Sequence, residues 1–353
     1  MQKAVVVDGQ GSISFRDAAV PIPSPTEVLI KVECAGQITC DWKTVLYAKR
    51  KGAIAGSDFA GTVLTIGSDV RPGVRSVGER VAGFVYGGMT PNGAYSEYIV
   101  ADARVLIHIP DSWSFENACQ LGHSLFNAAQ CLYVAHNIPS PSNQTSWAIP
   151  STNSVPSKTS MHTPSGTKQN SKESSSPTLS RPISTSPSPS KAFASMSLPP
   201  IHVFDYTSPR VGNEIHIQTK NRLSRVVDCV AERETPMQVA CALSRAGGKV
   251  ASVRYYDSLR DGMNLEFMCA FRLLPYDFNY PILHKANELD IERGRYLARL
   301  LTEVVAAGHI TPLPVLLMPD GLASVKQGFE WMMEGKTVGQ RITYKISDTP
   351  GLR

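Results

Sequence analysis

Residues 1–110 hold short β-branched runs, with alternation continuing through Ala94–Val100. Val5–Val7, Glu27–Glu33, Gly61–Ile66, Arg80–Val85 and Ala94–Val100 are separated by Gly67-Ser68-Asp69, Gly87-Gly88 and Pro91-Asn92-Gly93. Side chains of a strand alternate between faces, and Gly, Pro, Asn and Asp set turns, so this half reads as many short strands forming a barrel-like or partly open β domain. The period then changes. Phe115–Leu121 and Leu125–Leu132 repeat apolar residues at three- and four-residue steps, which predicts helices, the first N-capped by Ser114. From Ile201 onward the order is strand (Ile201–Tyr206), strand (Arg225–Val230), helix (Pro236–Arg245, stopping at Ala246-Gly247-Gly248) and strand (Lys249–Val253). Strand–helix–strand order predicts a parallel sheet with right-handed crossovers. Ile291–Ala307 and Leu322–Glu334 are expected helices, and Arg341–Lys345 a last strand.

One stretch fits neither period. In residues 139–200, 37 of 62 positions are Ser, Thr or Pro, which leaves too little apolar surface to offset chain entropy. Disorder is expected there. The stretch also distorts the overall charge. Of 35 basic and 30 acidic residues, it holds five basic (Lys158, Lys168, Lys172, Arg181, Lys191) and one acidic (Glu173). The remainder is nearly neutral, with no electrostatic footprint for nucleic acid. No apolar run reaches the roughly 18 residues of a membrane span. Met1–Asp8 breaks after three valines and does not read as a signal peptide. The seven cysteines show no CxxC pair and no zinc-like spacing with His, which suits incidental thiols in a reducing compartment.

Three segments carry a family resemblance: Ala55-Gly56-Ser57-Asp58-Phe59-Ala60-Gly61-Thr62-Val63, Val77-Gly78-Glu79-Arg80-Val81-Ala82-Gly83-Phe84 and Asn92-Gly93-Ala94-Tyr95-Ser96-Glu97-Tyr98. They resemble medium-chain dehydrogenases/reductases of the quinone-oxidoreductase type. Zinc-dependent members carry Gly-His-Glu where this chain has Gly56-Ser57-Asp58, and the lobe of structural cysteines is absent, so no metal is expected. Cys40-Asp41-Trp42-Lys43, Val203-Phe204-Asp205-Tyr206, Val227-Asp228-Cys229 and Gly247-Gly248-Lys249-Val250 are similar to the trans-acting enoyl reductases of fungal polyketide synthases, the lovastatin type.

That resemblance implies an α/β fold with a GroES-like β-barrel domain over residues 1–115, completed by about 305–353. A Rossmann-type parallel sheet domain over 116–304 is implied to lack its first βαβ portion. The glycine-rich turn after the first Rossmann strand, and the next strand, are replaced by residues 139–200. Two βα units take about 60 residues, so length is kept while chemistry is lost. A frame-shifted or mis-spliced reading, restored near Ile201, accounts for this; an unchanged frame in the mature message would defeat it.

The implied activity is NADPH-dependent enoyl reduction in trans, on a polyketide held by a synthase's acyl carrier domain, by a cytoplasmic monomer with neither membrane nor nucleic-acid partners. Hydride goes to the β-carbon of an unsaturated thioester, charge develops on the thioester oxygen, and a proton reaches the α-carbon. Such a site needs a cofactor cradle, donors near the oxyanion and a slot for the acyl chain. The resemblance places Cys40, Asp41, Trp42 and Lys43 at the cofactor. Lys43 is a candidate for a cofactor phosphate or the oxyanion, although a lone lysine is otherwise a solvated surface residue, and Trp42 suits packing. Asn127 sits where relatives place a Thr beside nicotinamide and substrate; as a bare helical Asn it would be structural. Asn127, Ala128, Ala129, Gln130, Cys131, Leu132, Tyr133 and Val134 map onto the substrate-facing helix, and Leu274, Pro275, Tyr276, Asp277 and Phe278 onto a substrate-side loop. Tyr206, Val253, Arg254, Ile342 and Thr343 map to cofactor contacts, each equally open to packing. His123-Ser124 lacks a nucleophile elbow, and neighbouring helical residues do not face one another. Two rivals remain: a catalytically inactive descendant acting as a docking protein, and a reductase of free quinones or enones.

Overall fold

The computed structural model describes residues 1–140, 202–279 and 283–352. The expectation of disorder for 139–200 therefore falls almost wholly outside the described residues. These divide into two compact units, residues 1–140 with 269–352, and residues 202–268.

The first unit is built on β1 (Gln2–Val7), β2 (Ile13–Ala18), β3 (Glu27–Gly36), β4 (Asp58–Ile66), β5 (Arg80–Phe84), β6 (Tyr98–Asp102) and β7 (Ile107–His108). The C-terminal segment adds β13 (Val315–Met318) and β14 (Arg341–Lys345), after a two-residue pair β11 (Phe278–Asn279) and β12 (Leu283–His284). The main sheet runs β13-β14-β3-β4-β5-β7, with β6 also on β3. The long central β3 is antiparallel to β4, β6 and β14, and register shifts between Leu29/Ile30 and between Val32/Cys34 mark bulges. Such bulges bend a strand and let a sheet curl. Its alternate side chains, Val28, Ile30 and Val32, are fully buried and pack with Phe59, Val63 and Tyr344 in one core.

Helices decorate this sheet. α1 (Thr39–Ala48) follows β3, and α2 (Phe115–Ala118) begins where expected, with the Ser114 Oγ accepting the Asn117 N–H at 3.2 Å. α3 (His123–Ala129) runs on into a π-helical turn, Gln130–Ala135. π turns insert a residue into a helix and concentrate at functional sites. α6 (Glu288–Ala306) buries one face through Ile291, Leu297, Leu301 and Val305. The Asn287 side chain accepts the Asp290 N–H at 2.9 Å, closing an orphan donor at its first turn. Replacing Asn287 with Ala is expected to cost about 1 kcal/mol, read as a lower urea midpoint with unchanged slope. α7 (Val325–Met333) starts after a 3₁₀ turn, Gly321–Ser324, within the span expected to be helical.

The second unit contains α4 (Val211–Gln218), β8 (Arg225–Asp228), α5 (Thr235–Ala242), β9 (Gly248–Ser252) and β10 (Met263–Phe267). The three strands are parallel, ordered β10-β9-β8, as the strand–helix–strand pattern requires. Two expectations are corrected here. Residues 202–206 form no strand beyond a single bridge at Val203, because Asp205 turns the chain: its Oδ1 accepts the Thr207 N–H and Oγ–H at 2.9 and 2.7 Å. α5 stops at Ala242 rather than near Arg245, because Leu243 is extended and the Ser244 N–H is drawn to the Leu223 carbonyl at 2.8 Å.

Among the described residues no helix is long and apolar enough to cross a membrane. All seven cysteines are free thiols.

Candidate active site

The first unit concentrates buried polar groups where α1, β4 and α3 begin. Asp41, at the third position of α1, reaches back to the chain that precedes the helix. One carboxylate oxygen accepts the Ile38 N–H and the Tyr95 hydroxyl, each at 2.8 Å, and the other accepts the Ser57 hydroxyl at 2.8 Å. Burial pushes this carboxyl up to about 6, against the pull of those three hydrogen bonds. The structure thus places Asp41 inside the barrel as the brace of α1, and Ser57, at the position of the histidine of zinc-dependent relatives, spends its hydroxyl on that brace.

Asp58 opens β4 and is fully buried. Its Oδ1 accepts the His123 backbone N–H at 2.6 Å, so it caps α3, while its Oδ2 has no partner among the described residues. Burial drives the carboxyl up to about 8, although the Arg341 guanidinium pulls the other way. Arg341, from β14, donates to the Gln37 carbonyl at 3.0 Å and to the Ser124 hydroxyl at 3.4 Å.

His123 and Asn127 lie one turn apart on α3. The Asn127 Nδ2 is 3.3 Å from the His123 Nδ1, and the Asn127 Oδ1 accepts the Ala270 N–H at 2.6 Å. The imidazole packs against Phe271 at 4.5 Å between centroids and lies edge-on to Phe84 at 6.0 Å. Phe84 also meets Phe126 at 5.0 Å, and Tyr86 meets Phe271 at 4.6 Å. Burial, and then the Arg341 charge, push the imidazole down to about 3, so it is neutral at pH 7. Burial, with Asp41 and Cys269 beside it, raises the Cys40 thiol to about 12. The result is an aromatic wall holding neutral hydrogen-bonding groups.

The other sequence candidates scatter around this wall. Trp42 packs on the barrel core with its Nε1 unpartnered among the described residues, and the Lys43 Nζ stands 5.5 Å from the Trp42 ring centroid. On α3 and its π turn, Ala129, Gln130 and Cys131 are buried, Ala128 and Leu132 are exposed, and Tyr133 and Val134 are half-buried. Leu274 is buried and Pro275 half-buried. The Tyr276 hydroxyl donates to Glu27 at 2.7 Å, Asp277 pairs with Lys285 at 2.6 Å, and the Phe278 backbone pairs with His284. Ile342 and Thr343 are wholly interior, the Thr343 hydroxyl lying 3.7 Å from the Cys119 thiol. Asp58, His123, Phe84 and Phe271 were not among the sequence candidates. The one available signal was Gly56-Ser57-Asp58, which marks where relatives change chemistry.

In the second unit, the carboxyl ends of β8, β9 and β10 form the edge at which parallel sheets bind ligands. Asp228 ends β8, its carboxylate accepting the Val230 and Ala231 N–H groups at 3.1 and 2.7 Å and the Tyr256 hydroxyl at 3.2 Å. Val253 follows β9, its N–H donating to the Asp228 carbonyl at 3.2 Å, and Arg254 pairs with Glu232. Tyr206 is half-exposed and its carbonyl accepts the Gln238 amide at 3.2 Å.

An antiparallel barrel of this order and a parallel α/β sheet are the two parts of a medium-chain reductase. The alcohol dehydrogenase GroES-like domain matches residues 24–111. The chain is 30% identical over 363 residues to trans-enoyl reductase caaB of Aspergillus niger, covering 98% of this chain and 97% of that one. It is also 30% identical over 358 residues to trans-enoyl reductase thnE of Trichoderma harzianum, covering 98% and 96%. Among solved structures, CurK enoyl reductase superposes with a TM-score of 0.65 at 16% identity, covering 97% of this chain and 98% of that one; a quinone oxidoreductase of Pseudomonas syringae gives 0.60 at 18%, covering 97% and 99%. The chain belongs to the trans-enoyl reductases of the medium-chain dehydrogenase/reductase superfamily.

Medium-chain enoyl reductases use NAD(P)H. Among the described residues, however, no glycine-rich turn leads from a strand into a helix N-terminus, the usual cradle for its phosphates.

Proposed function

We propose that this chain is a trans-acting enoyl reductase that reduces an α,β-unsaturated polyketide thioester presented on a synthase's acyl carrier domain, with NADPH preferred over NADH. The observation that carries the reading is 30% identity sustained along 98% of the chain to trans-enoyl reductases. When bound, the nicotinamide supplies the hydride. The chain's own residues do the rest. Phe84, Phe126 and Phe271 exclude water and seat the acyl chain, which strengthens every hydrogen bond made beside them. Asn127 and His123 hold hydrogen-bonding groups against that wall. Lys43 meets a cofactor phosphate or the developing oxyanion, and Tyr206, Val253 and Arg254 line the adenosine side. Substrate comes from a synthase, so the implied setting is cytoplasmic secondary metabolism.

The test is a fluorescence titration of the purified chain with NADPH and NADH, followed by NADPH oxidation with a carrier-bound enoyl thioester. Micromolar NADPH-selective binding with turnover is expected. The sequence of residues 139–200, with Gly166 as its one glycine where relatives carry a glycine-rich turn, favours a second reading, a catalytically silent docking protein. A folded chain that binds neither cofactor establishes that reading and ends the first.

A further inference from the structure

The first unit keeps a buried hydrogen-bond donor that none of its described residues accepts, and its chemistry is fixed by a chain of bonds. A backbone N–H can only donate, so the Ala270 N–H identifies the Asn127 atom it meets at 2.6 Å as the amide oxygen. The other amide atom is then the NH₂, and it donates to the His123 Nδ1 at 3.3 Å. That nitrogen carries no proton, so the imidazole proton sits on Nε2. His123 is 6% exposed, and its Nε2 has no partner among the described residues. Leaving a buried donor unmade is costly, and a phenylalanine would pack against Phe84 and Phe271 without that cost. The fold instead commits Asn127, itself buried, to holding the imidazole in one tautomer.

We infer that the His123 Nε2–H is the hydrogen-bond donor to the carbonyl oxygen of the enoyl thioester, and that Asn127 is the positioning residue that sets its tautomer. This deepens the enoyl-reductase reading and rests on it. A thioester carbonyl is an acceptor with no proton to give. It complements an N–H held in an aromatic wall, and its oxygen gains charge as the β-carbon is reduced. A neutral imidazole donates to that oxygen without bringing a buried charge. The bond is therefore stronger in the transition state than in the ground state.

The experiment compares the full chain with H123F, H123Q and N127D. H123F keeps the ring and removes the donor. H123Q keeps a donor. N127D puts an acceptor opposite Nδ1, which draws the proton there and leaves Nε2 bare. With crotonyl-pantetheine, kcat is expected to fall about 100-fold in H123F and in N127D, and H123Q is expected to recover at least about tenfold of that loss. Binding supplies a readout that packing alone would not move. The wild-type chain should bind butyryl-pantetheine more tightly than the thioether lacking its carbonyl, and the His123 Nε2 resonance in ¹⁵N-histidine-labelled protein should shift only with the thioester. H123F should lose the discrimination. A folded H123F that turns over within about threefold of wild type, or that still discriminates, overturns the inference and leaves the enzyme reading intact. A wild-type chain that neither reduces nor binds any enoyl thioester overturns both.

Discussion

Raising the pH through the neutral range is expected to destabilise this protein, and replacing Asp58 with Asn is expected to abolish that loss. Burial lifts the Asp58 carboxyl from 3.8 to about 8, more than the Arg341 charge and the His123 N–H pull it down. The folded chain therefore holds a proton that the unfolded chain has released above about pH 4. Where the native state binds more protons, stability falls as pH rises, so Asp58 costs stability progressively from about pH 4 to about pH 8. His123 acts in the opposite sense. Its imidazole is held from 6.5 down to about 3, so the unfolded chain binds the extra proton and stability falls as pH drops through that range. Between about pH 4 and 6.5 the two slopes oppose. Asp41, raised to about 6, adds its loss only up to that point. From pH 6.5 to 8 Asp58 acts without them, and wild type is expected to lose about 2 kcal/mol there. Asp58→Asn keeps an oxygen for the His123 N–H and has no proton to lose. Urea unfolding at the two pH values reads the difference. A wild-type curve as flat as that of the variant would refute the assignment.

The second large effect is expected at Gly122, the residue that lets α3 start against β4 and β5. A Cβ there would stand 2.3 Å from the Asp58 Oδ1 and 2.5 Å from the Gly83 carbonyl oxygen. Neither can yield. The carbonyl belongs to a paired strand, and the carboxyl is fixed by its bond to His123. Gly122→Ala must push the first turn of α3 outward, break the His123 N–H bond to Asp58 and shift the imidazole. The expected cost is about 2–4 kcal/mol, from overpacking together with a buried polar group left unmatched. Because the shift moves His123 and Asn127 together, enoyl thioester reduction should fall even at temperatures where the variant stays folded. A urea midpoint close to wild type, with full turnover, would show that the helix start tolerates the methyl group.

Much of the architecture is legible in local chemistry. Glu27–Glu33 reads as a strand because its alternate residues Val28, Ile30 and Val32 meet the barrel core, and Arg80–Val85 because a short apolar run buried on both faces suits a strand. Ser114 caps a helix because a hydroxyl beside an orphan N–H needs no distant partner. The order Arg225–Val230, helix, Lys249–Val253 yields a parallel sheet because a short crossover permits little else. The segments around Gly56 and Gly93 carry the family for a similar reason. Gly56 has φ +92°, and any Cβ there would meet the Tyr95 ring at 2.5 Å, so the local sequence is constrained by its own packing.

What stayed hidden required partners far along the chain. Met263–Phe267 alternates Met, Leu and Phe with Asn and Glu as a strand does, but five residues do not say where it belongs; only its parallel pairing with β9 does. Ile201–Tyr206 reads as a strand by propensity, yet Asp205 turns the chain back on itself. His123-Ser124 offered no chemistry as neighbours on a helix. The residue gains meaning from Asp58, 65 residues earlier, which holds its backbone N–H, and from Ala270, which reaches Asn127 across 143 residues. The sequence by itself determined several of the strands, the Ser114 cap, the parallel crossover and the family, because these follow from neighbours within a few residues. Only the tertiary structure decided which polar groups are buried, which of them lack partners and which nitrogen of His123 carries its proton. Burial and hydrogen-bond pairing are properties of the packed chain, and no local pattern encodes them.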